Sequence, residues 1–593
     1  MYINIPLMEM VRLNGAEFVI EYFKRGGIKH VFGIPGHGNA AIVDVIYDMS
    51  KDIEFVPVKH EQYGGHMADG YFRVTRKTPA IVTTSVGPGA TNLATALATA
   101  YVDSSTFIAI TGDIQTYLLG KGIFQEVERQ FQSDYVNAMR HFTKRSYFVS
   151  TVSQLHNVLP NAFKEAVVGR PGPVLISMPM DVQTAPLDVE FREVPMVTDV
   201  GRICPDQTKV LEASKILVRA ERPLILVGGG VVMSGASEEV VKLAELLGAP
   251  VASTFRGDAK GGFPEDHELY VFSVGNIGNP VANKLAAEAD VILAVGVTFS
   301  DETTSSYKKG ITFNIPPTKL IQIDIDPHEI GKNYPVEVGI WGDAKVTLQQ
   351  IINYMMELGK KGNYRETEYF KRISQMKKEW LEEMERLREA APMGIPSVAK
   401  TLRETLPQES VITLSAGLPQ EIFSQLWISY KPRTFISSGG FSTMGFALPA
   451  AIGAKLALKD TPVIAVEGDG SFLMNNVELL TASQLELPVI AVILNNYGWI
   501  SIRDLQIRNF QGRIIGTEFK DRKNELKAPD FEKVAKAYGA NYLRAESVEQ
   551  IRSSVRQALT SSDTPTVVEI PVETKFPYSG TKAYGFWDIP RRS

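Results

Sequence analysis

The stretch Val463-Ile-Ala-Val-Glu-Gly-Asp-Gly-Ser-Phe472, with Pro488-Val-Ile-Ala-Val-Ile-Leu-Asn-Asn496 after it, decides how this chain is read. Each run reads as an apolar strand, and the first ends in a glycine turn that opens a helix. Twenty-four residues separate Gly470 from Asn495, room for that helix between two neighbouring strands. Asp469 offers a carboxylate and Asn496 an amide oxygen, the ligand type a hard cation such as Mg²⁺ takes and commonly shares with phosphate oxygens. Gly468 and Gly470 let the backbone approach a diphosphate, whose charge suits the following helix N-terminus. The plain alternative is a tight turn and an unrelated Asn pair. Spacing and strand context favour a diphosphate held through Mg²⁺.

The 593 residues give length for three or four domains. A hydrophobic content of 44% and a charged content of 22% are those of a globular protein. A net charge of −5 leaves no electrostatic footprint for nucleic acid or an anionic membrane. No apolar run approaches ~18 residues, the length a spanning helix needs. Cys204 is the only cysteine, which excludes an intrachain disulfide and a cysteine metal cluster. A cytoplasmic enzyme on a small-molecule substrate is expected.

Three α/β segments follow one another, each alternating helical patterns with apolar strands, the rhythm of a doubly wound parallel sheet with function at the strand carboxyl ends. They span residues 1–190, 207–355 and 396–572. The charged run within 356–395 (EYFKRISQMKKEWLEEMERLREA) reads as a solvated helical connector. Residues 573–593 form an unusually aromatic tail, a candidate cover for an active site.

A second chemical signal lies about 400 residues from the first. In PVKHEQYGGHMADGY, Glu61 ends an apolar strand and starts a helix. A lone Glu there usually serves the helix dipole. Beside a Mg-diphosphate signal it points to a cofactor with a diphosphate at one end and a carboxylate-activated heterocycle at the other, thiamine diphosphate. KHEQYGGHMADGY, TSVGPGATNLATAL, FQE, RPGPVLISMPMDVQ, SGGFSTMGFALPAAIGAKLA and GDGSF…LNN together resemble the acetolactate (acetohydroxyacid) synthase family, in order over residues 11 to 575.

The resemblance implies pyrimidine-binding, central and diphosphate-binding domains and assigns roles. Glu61 would hydrogen-bond the pyrimidine and promote its imino tautomer. Asp469 and Asn496, with a backbone carbonyl near Gly498, would hold Mg²⁺. Met444 would bend the cofactor, with the Ser442 carbonyl on the aminopyrimidine. Gly468, Gly470 and Ser471 would meet the diphosphate. Pro35, Ser85, Pro88 and Asn92 would line the cofactor, and Gln125 would bond a substrate oxygen. Phe124 would wall the pocket and Lys144 stand at the substrate entrance. The Glu61 and Asp469 halves would come from different subunits of an obligate homodimer, which a tetramer can extend.

Several stretches depart from the synthases. His37 in GIPGHGN stands where they carry a small residue, and is a candidate acid/base on substrate. Their Gln-Trp pair after Asn496 is absent, leaving Trp499 or Arg503 as substitutes. Leu418 and Pro419 replace polar residues. FSDETTSSY replaces a block that contacts FAD, so FAD in the central domain is not expected, although Gly228–Gly230 could shape a nucleotide cleft. GHGN, AGLPQE, DETTSSY, NYGWISI and FWDIP are similar to the trihydroxycyclohexanedione hydrolases. FQEVE is shared with sulfoacetaldehyde acetyltransferase, and 2-hydroxyacyl-CoA lyases share the core blocks. The leading expectation is a synthase-like lyase or transferase on a 2-oxo acid or α-diketone. A hydrolase of a cyclic 1,2-dione comes next, and a non-catalytic regulatory subunit last.

Overall fold

The structure is a computed structural model that describes residues 10–76, 78–126, 134–191, 200–255 and 257–573. The expected aromatic cover lies outside these from residue 574 on. The chain divides into two compact units, Met1–Val200 with Ile452–Leu458, and Gly201–Ala451 with Lys459–Ser593.

The first unit carries a sheet of β1 (His30–Gly33), β2 (Glu54–Pro57), β3 (Ala80–Thr84), β4 (Phe107–Asp113), β5 (Arg145–Phe148) and β6 (Val174–Pro179). Its spatial order is β2-β1-β3-β4-β6-β5, and all pairs are parallel. β3, β4 and β6 are buried along their whole length, as apolar strands covered on both faces must be. The direction of winding switches between β1 and β3, and the loops at their carboxyl ends flank the resulting crevice. A short antiparallel pair, Val11–Asn14 with Pro186–Val189, closes this domain. Gln183, just before this closing pair, is 1% exposed. Its amide donates to the Gly38 carbonyl at 2.6 Å.

The second unit holds two further parallel sheets. The central one contains β7 (Pro223–Val227), β8 (Val251–Ser253), β9 (Tyr270–Ser273), β10 (Val291–Val295), β11 (Lys319–Asp324) and β12 (Val338–Trp341), in the order β9-β8-β7-β10-β11-β12. This is the doubly wound order of dinucleotide-binding domains. At its switch point, however, the glycines serve backbone packing. A Cβ on Gly228 would stand 1.9 Å from the Gly296 carbonyl oxygen, and one on Gly230 would be 2.7 Å from Gly296 Cα.

The charged run is more than a solvated connector. Thr367 caps a helix over Glu368–Ala390 by accepting the Phe370 N–H. Ile373, Trp380 and Met384, spaced on one helical face, are buried in the central core. Charge composition hid that face because only one residue in several needs to be apolar.

The last sheet contains β13 (Val411–Leu414), β14 (Phe435–Ser437), β15 (Val463–Gly468), β16 (Ile490–Asn495), β17 (Asn541–Arg544) and β18 (Thr566–Pro571). Its order, β14-β13-β15-β16-β18-β17, repeats that of the first sheet. β15 and β16 pair in parallel with Gly468 opposite Leu494, so the two sequence signals do end side by side. Within this unit the central domain carries a buried Lys260–Glu265 ion pair at 2.9 Å, and Lys260 donates to the Ser424 carbonyl of the last domain at 3.2 Å. Glu265 also accepts the Ser429 N–H at 2.9 Å.

Candidate active site

The β15–β16 edge is built around Asp469, which is fully buried at the start of the helix Asp469–Asn475. Burial pushes its carboxyl up to about 6, against the opposing pull of N–H groups from Gly498, Gly470, Tyr497 and Asn496. The Gly498 N–H donates to Asp469 Oδ2 at 3.0 Å. Asn495 holds the turn from behind, donating to Glu569 at 2.7 Å and accepting from Tyr497 N–H.

Three polar groups converge here. The Asn496 amide oxygen lies 2.9 Å from the Gly498 carbonyl oxygen and 3.1 Å from Asp469 Oδ1. Turned over, the amide donates its NH₂ to both oxygens; with its oxygen facing them, the three form a set that a cation would satisfy. Cis oxygens around an octahedral Mg²⁺ with bonds of about 2.0–2.1 Å stand roughly 2.9 Å apart. The residues therefore fit a hard divalent ion, although only one is a carboxylate. Among the described residues no group of three His, Cys, Asp or Glu could hold a metal.

The glycines divide their work differently from the expectation. A Cβ on Gly468 would meet nothing within 4 Å, which leaves room for a ligand. One on Gly470 would stand 2.7 Å from the Trp499 indole nitrogen, so that glycine admits Trp499. The Trp499 ring also packs edge-on against Phe519 at 5.0 Å. Arg503 is turned to Asp504 at 3.2 Å and Glu518 at 3.8 Å. Ser471, expected on the diphosphate, points its hydroxyl into the protein, where it donates to Glu467 and accepts from Gly445 N–H. Ser442 is exposed at φ +56°, and Met444 is half-buried.

The first unit gathers the other expected residues at the carboxyl ends of β1, β2 and β3. Glu61 opens the helix Glu61–Thr75, and Asn92 donates its amide to Glu61 Oε2 at 2.9 Å. A Cβ on Gly89 would lie 3.2 Å from Glu61 Oε1, and one on Gly36 would be 2.7 Å from Ser85 Oγ. Ser85 accepts the Gly38 N–H at 3.1 Å, which anchors the loop on which Pro35 and His37 stand exposed. Pro88 is exposed at the start of the next helical turn. Gln125 closes over Gly87, whose Cβ would be 2.1 Å from the Gln125 carbonyl. Gln125 has φ +68°, and its buried Oε1 finds no donor among the described residues.

Phe124 is 85% exposed and walls no pocket among the described residues. Lys144 is not brought to this edge. It precedes β5, at the amino end of a parallel sheet whose loops of interest lie at the carboxyl end. Its ammonium bonds the Val168 carbonyl at 2.6 Å, capping the helix Leu155–Val167. The sequence reading also missed Glu467 and Asn475. An acidic residue inside the apolar run VIAVEG was the available signal.

Family models of thiamine pyrophosphate enzymes match the chain in three consecutive segments. They are the N-terminal thiamine-pyrophosphate-binding domain over residues 13–133, the central domain over 210–351 and the C-terminal binding domain over 415–570. The class these matches define is that of thiamine-diphosphate enzymes. A probable acetolactate synthase large subunit of Methanocaldococcus jannaschii is 37% identical over 575 residues, 95% of this chain and 92% of that one. Large subunits of Corynebacterium glutamicum (34%, covering 95% and 87%) and Haemophilus influenzae (33%, covering 95% and 95%) are similar at full length. The chain belongs to the acetolactate synthase family and is an enzyme of that thiamine-diphosphate-dependent kind. No helix among the described residues is long and apolar enough to cross a membrane.

Proposed function

We propose that this chain is a thiamine-diphosphate- and Mg²⁺-dependent C–C bond lyase or transferase acting on a 2-oxo acid or α-diketone, with pyruvate as its first donor. The convergence of Asp469, Asn496 and the Gly498 carbonyl carries the reading. The full-length similarity to acetolactate synthases supports the choice of donor. When bound, thiamine diphosphate would supply a nucleophilic carbon and an electron sink for cleavage of a C–C bond beside a carbonyl.

The chain's own residues do the rest. Asp469, Asn496 and the Gly498 carbonyl would hold Mg²⁺, and the open side of Gly468 would receive the diphosphate. Glu61, oriented by Asn92, exchanges a proton with the pyrimidine. Met444 supports the bend of the cofactor. Gln125 Oε1 takes a hydrogen bond from substrate, and His37 serves as acid or base beside it. An obligate homodimer, extended to a tetramer, brings the Glu61 side of one subunit to the Asp469 side of another in the cytoplasm. FAD has no role in this reading.

Protein loaded with thiamine diphosphate and Mg²⁺ is expected to convert pyruvate to acetolactate, and failure to do so removes the synthase reading. Cyclohexane-1,2-dione is the second substrate to try, because the exposed His37 stands on a loop shared with the dione hydrolases. Its opening to an acid, with no acetolactate from pyruvate, would assign the chain to that branch.

A further inference from the structure

One carboxylate at this edge has no place in the mechanism above. Glu467 is the only charged residue of β15 and is 1% exposed. Burying an ion costs several kcal/mol unless its oxygens are fully bonded. Here they are. Oε2 accepts from the Ser415 hydroxyl at 2.8 Å and the Ser471 hydroxyl at 2.8 Å. Asn475 Nδ2 donates to Oε1 at 2.9 Å and to Oε2 at 3.1 Å.

What the two hydroxyls do with their lone pairs is the informative part. Ser471 Oγ accepts the Gly445 N–H at 2.8 Å. Ser415 Oγ accepts the Phe446 N–H at 3.0 Å and the Ala447 N–H at 2.8 Å. Each serine thus donates to Glu467 and accepts from the turn Ser442–Ala447. A hydroxyl has one proton, so committing it to Glu467 leaves only acceptor capacity facing the turn. Thr413 Oγ1 pins the same turn from the far side by donating to the Ala447 carbonyl at 2.7 Å. The three N–H groups bonded this way stand at the start of the helix Ala447–Ala457, where no intrahelical acceptor exists for them.

We infer that Glu467 is a positioning residue that locks the turn carrying Met444 onto the turn carrying Asp469, through Ser415 and Ser471 as relays. The lock fixes the separation between the diphosphate end and the bend of the cofactor, and in this respect it rests on the reading given above. Glutamine in place of the carboxylate is neutral, so its single oxygen accepts from the two serines more weakly and its NH₂ faces the Asn475 NH₂, which loosens the turn.

The test uses the full chain and two independent measurements. Amide hydrogen exchange of the cofactor-free protein reads the lock directly. Glu467→Gln is expected to lose protection at Gly445, Phe446 and Ala447 by tenfold or more while the β16 amides keep theirs. Calorimetric titration with thiamine diphosphate in Mg²⁺ is expected to show about a tenfold weaker Kd in Glu467→Gln. That loss should shrink to less than threefold in a Met444→Ala background, because the lock acts through Met444. A purely structural carboxylate would give additive losses instead. Unchanged protection of the turn in folded Glu467→Gln, or full additivity with Met444→Ala, overturns the inference. Should Glu467→Gln fail to fold, Ser415→Ala removes one relay and is expected to expose Phe446 and Ala447 alone; unchanged exchange there overturns it equally. Wild-type protein that binds no thiamine diphosphate would sink the cofactor reading, while the exchange measurement would still decide the lock.

Discussion

Asn92 Nδ2 donates to Glu61 Oε2 at 2.9 Å, across 31 residues of sequence. Asn92 therefore aims the carboxylate from the opposite side of the crevice. A hydrogen bond to a charged group is worth about 1.5–3 kcal/mol. Asn92→Ala is expected to lower kcat about 10–100-fold with little change in Tm. Glu61→Gln should cost more. Steady-state kinetics with pyruvate and a melting curve for each variant check this, and an unaltered kcat in Asn92→Ala would remove the orienting role.

The oxygen cluster predicts a metal-linked pH dependence. Asp469 has its folded value raised to about 6, above the ordinary aspartate value. In metal-free protein the burial penalty is thus absent below about pH 4 and grows as pH rises through about 6. A divalent cation displaces the proton and removes the penalty. Mg²⁺ is expected to raise Tm more at pH 7.5 than at pH 5, and Asp469→Ala to abolish the difference. Differential scanning calorimetry at both pH values, with and without chelator, measures it.

His66 predicts acid sensitivity of the first unit. Burial pushes its imidazole down to about 4. Between about pH 6.5 and 4 the unfolded chain binds a proton that the folded chain refuses, so stability falls as pH drops through this window. The loss is about 3 kcal/mol once the pH is below 4. His66→Gln should flatten urea midpoints between pH 4.5 and 7 relative to wild type.

Two glycines two residues apart are expected to behave oppositely. Gly468→Ala enters open space and should leave Tm within about 1 °C while weakening thiamine diphosphate binding. Gly470→Ala meets the Trp499 indole at 2.7 Å. It should destabilise the fold by about 1–3 kcal/mol and shift tryptophan emission before any cofactor is added. Equal melting temperatures for the two variants would contradict the division of roles.

Lys144→Met is expected to leave the KM for pyruvate within about twofold. It should still cost about 1 kcal/mol of stability, because its ammonium caps the Val168 carbonyl. A large rise in KM would restore it to the substrate entrance.

Much of this was legible from residue order alone. Largely apolar strands of three to seven residues, alternating with helices, report doubly wound sheets because a strand covered on both faces must be mostly apolar. Asp469 and Asn496 were readable as neighbours because one helical crossover joins consecutive parallel strands, here β15 and β16. The helix Glu368–Ala390 was misjudged because three buried side chains, Ile373, Trp380 and Met384, vanish among its charges.

By itself, then, the sequence determined the three α/β domains and the cofactor class, and it singled out Glu61, Asp469 and Asn496 as candidates, since these follow from local pattern and chain order. Only the tertiary structure decided which way each side chain faces. Ser471 turns inward to Glu467, Gly470 yields its space to Trp499, Asn92 bonds Glu61, and Lys144 caps a helix on the far edge of its sheet. Periodicity assigns a residue to a strand end or a helix start. Which atom meets which is settled by packing between segments tens of residues apart, and a buried polar group takes whichever partner that packing supplies.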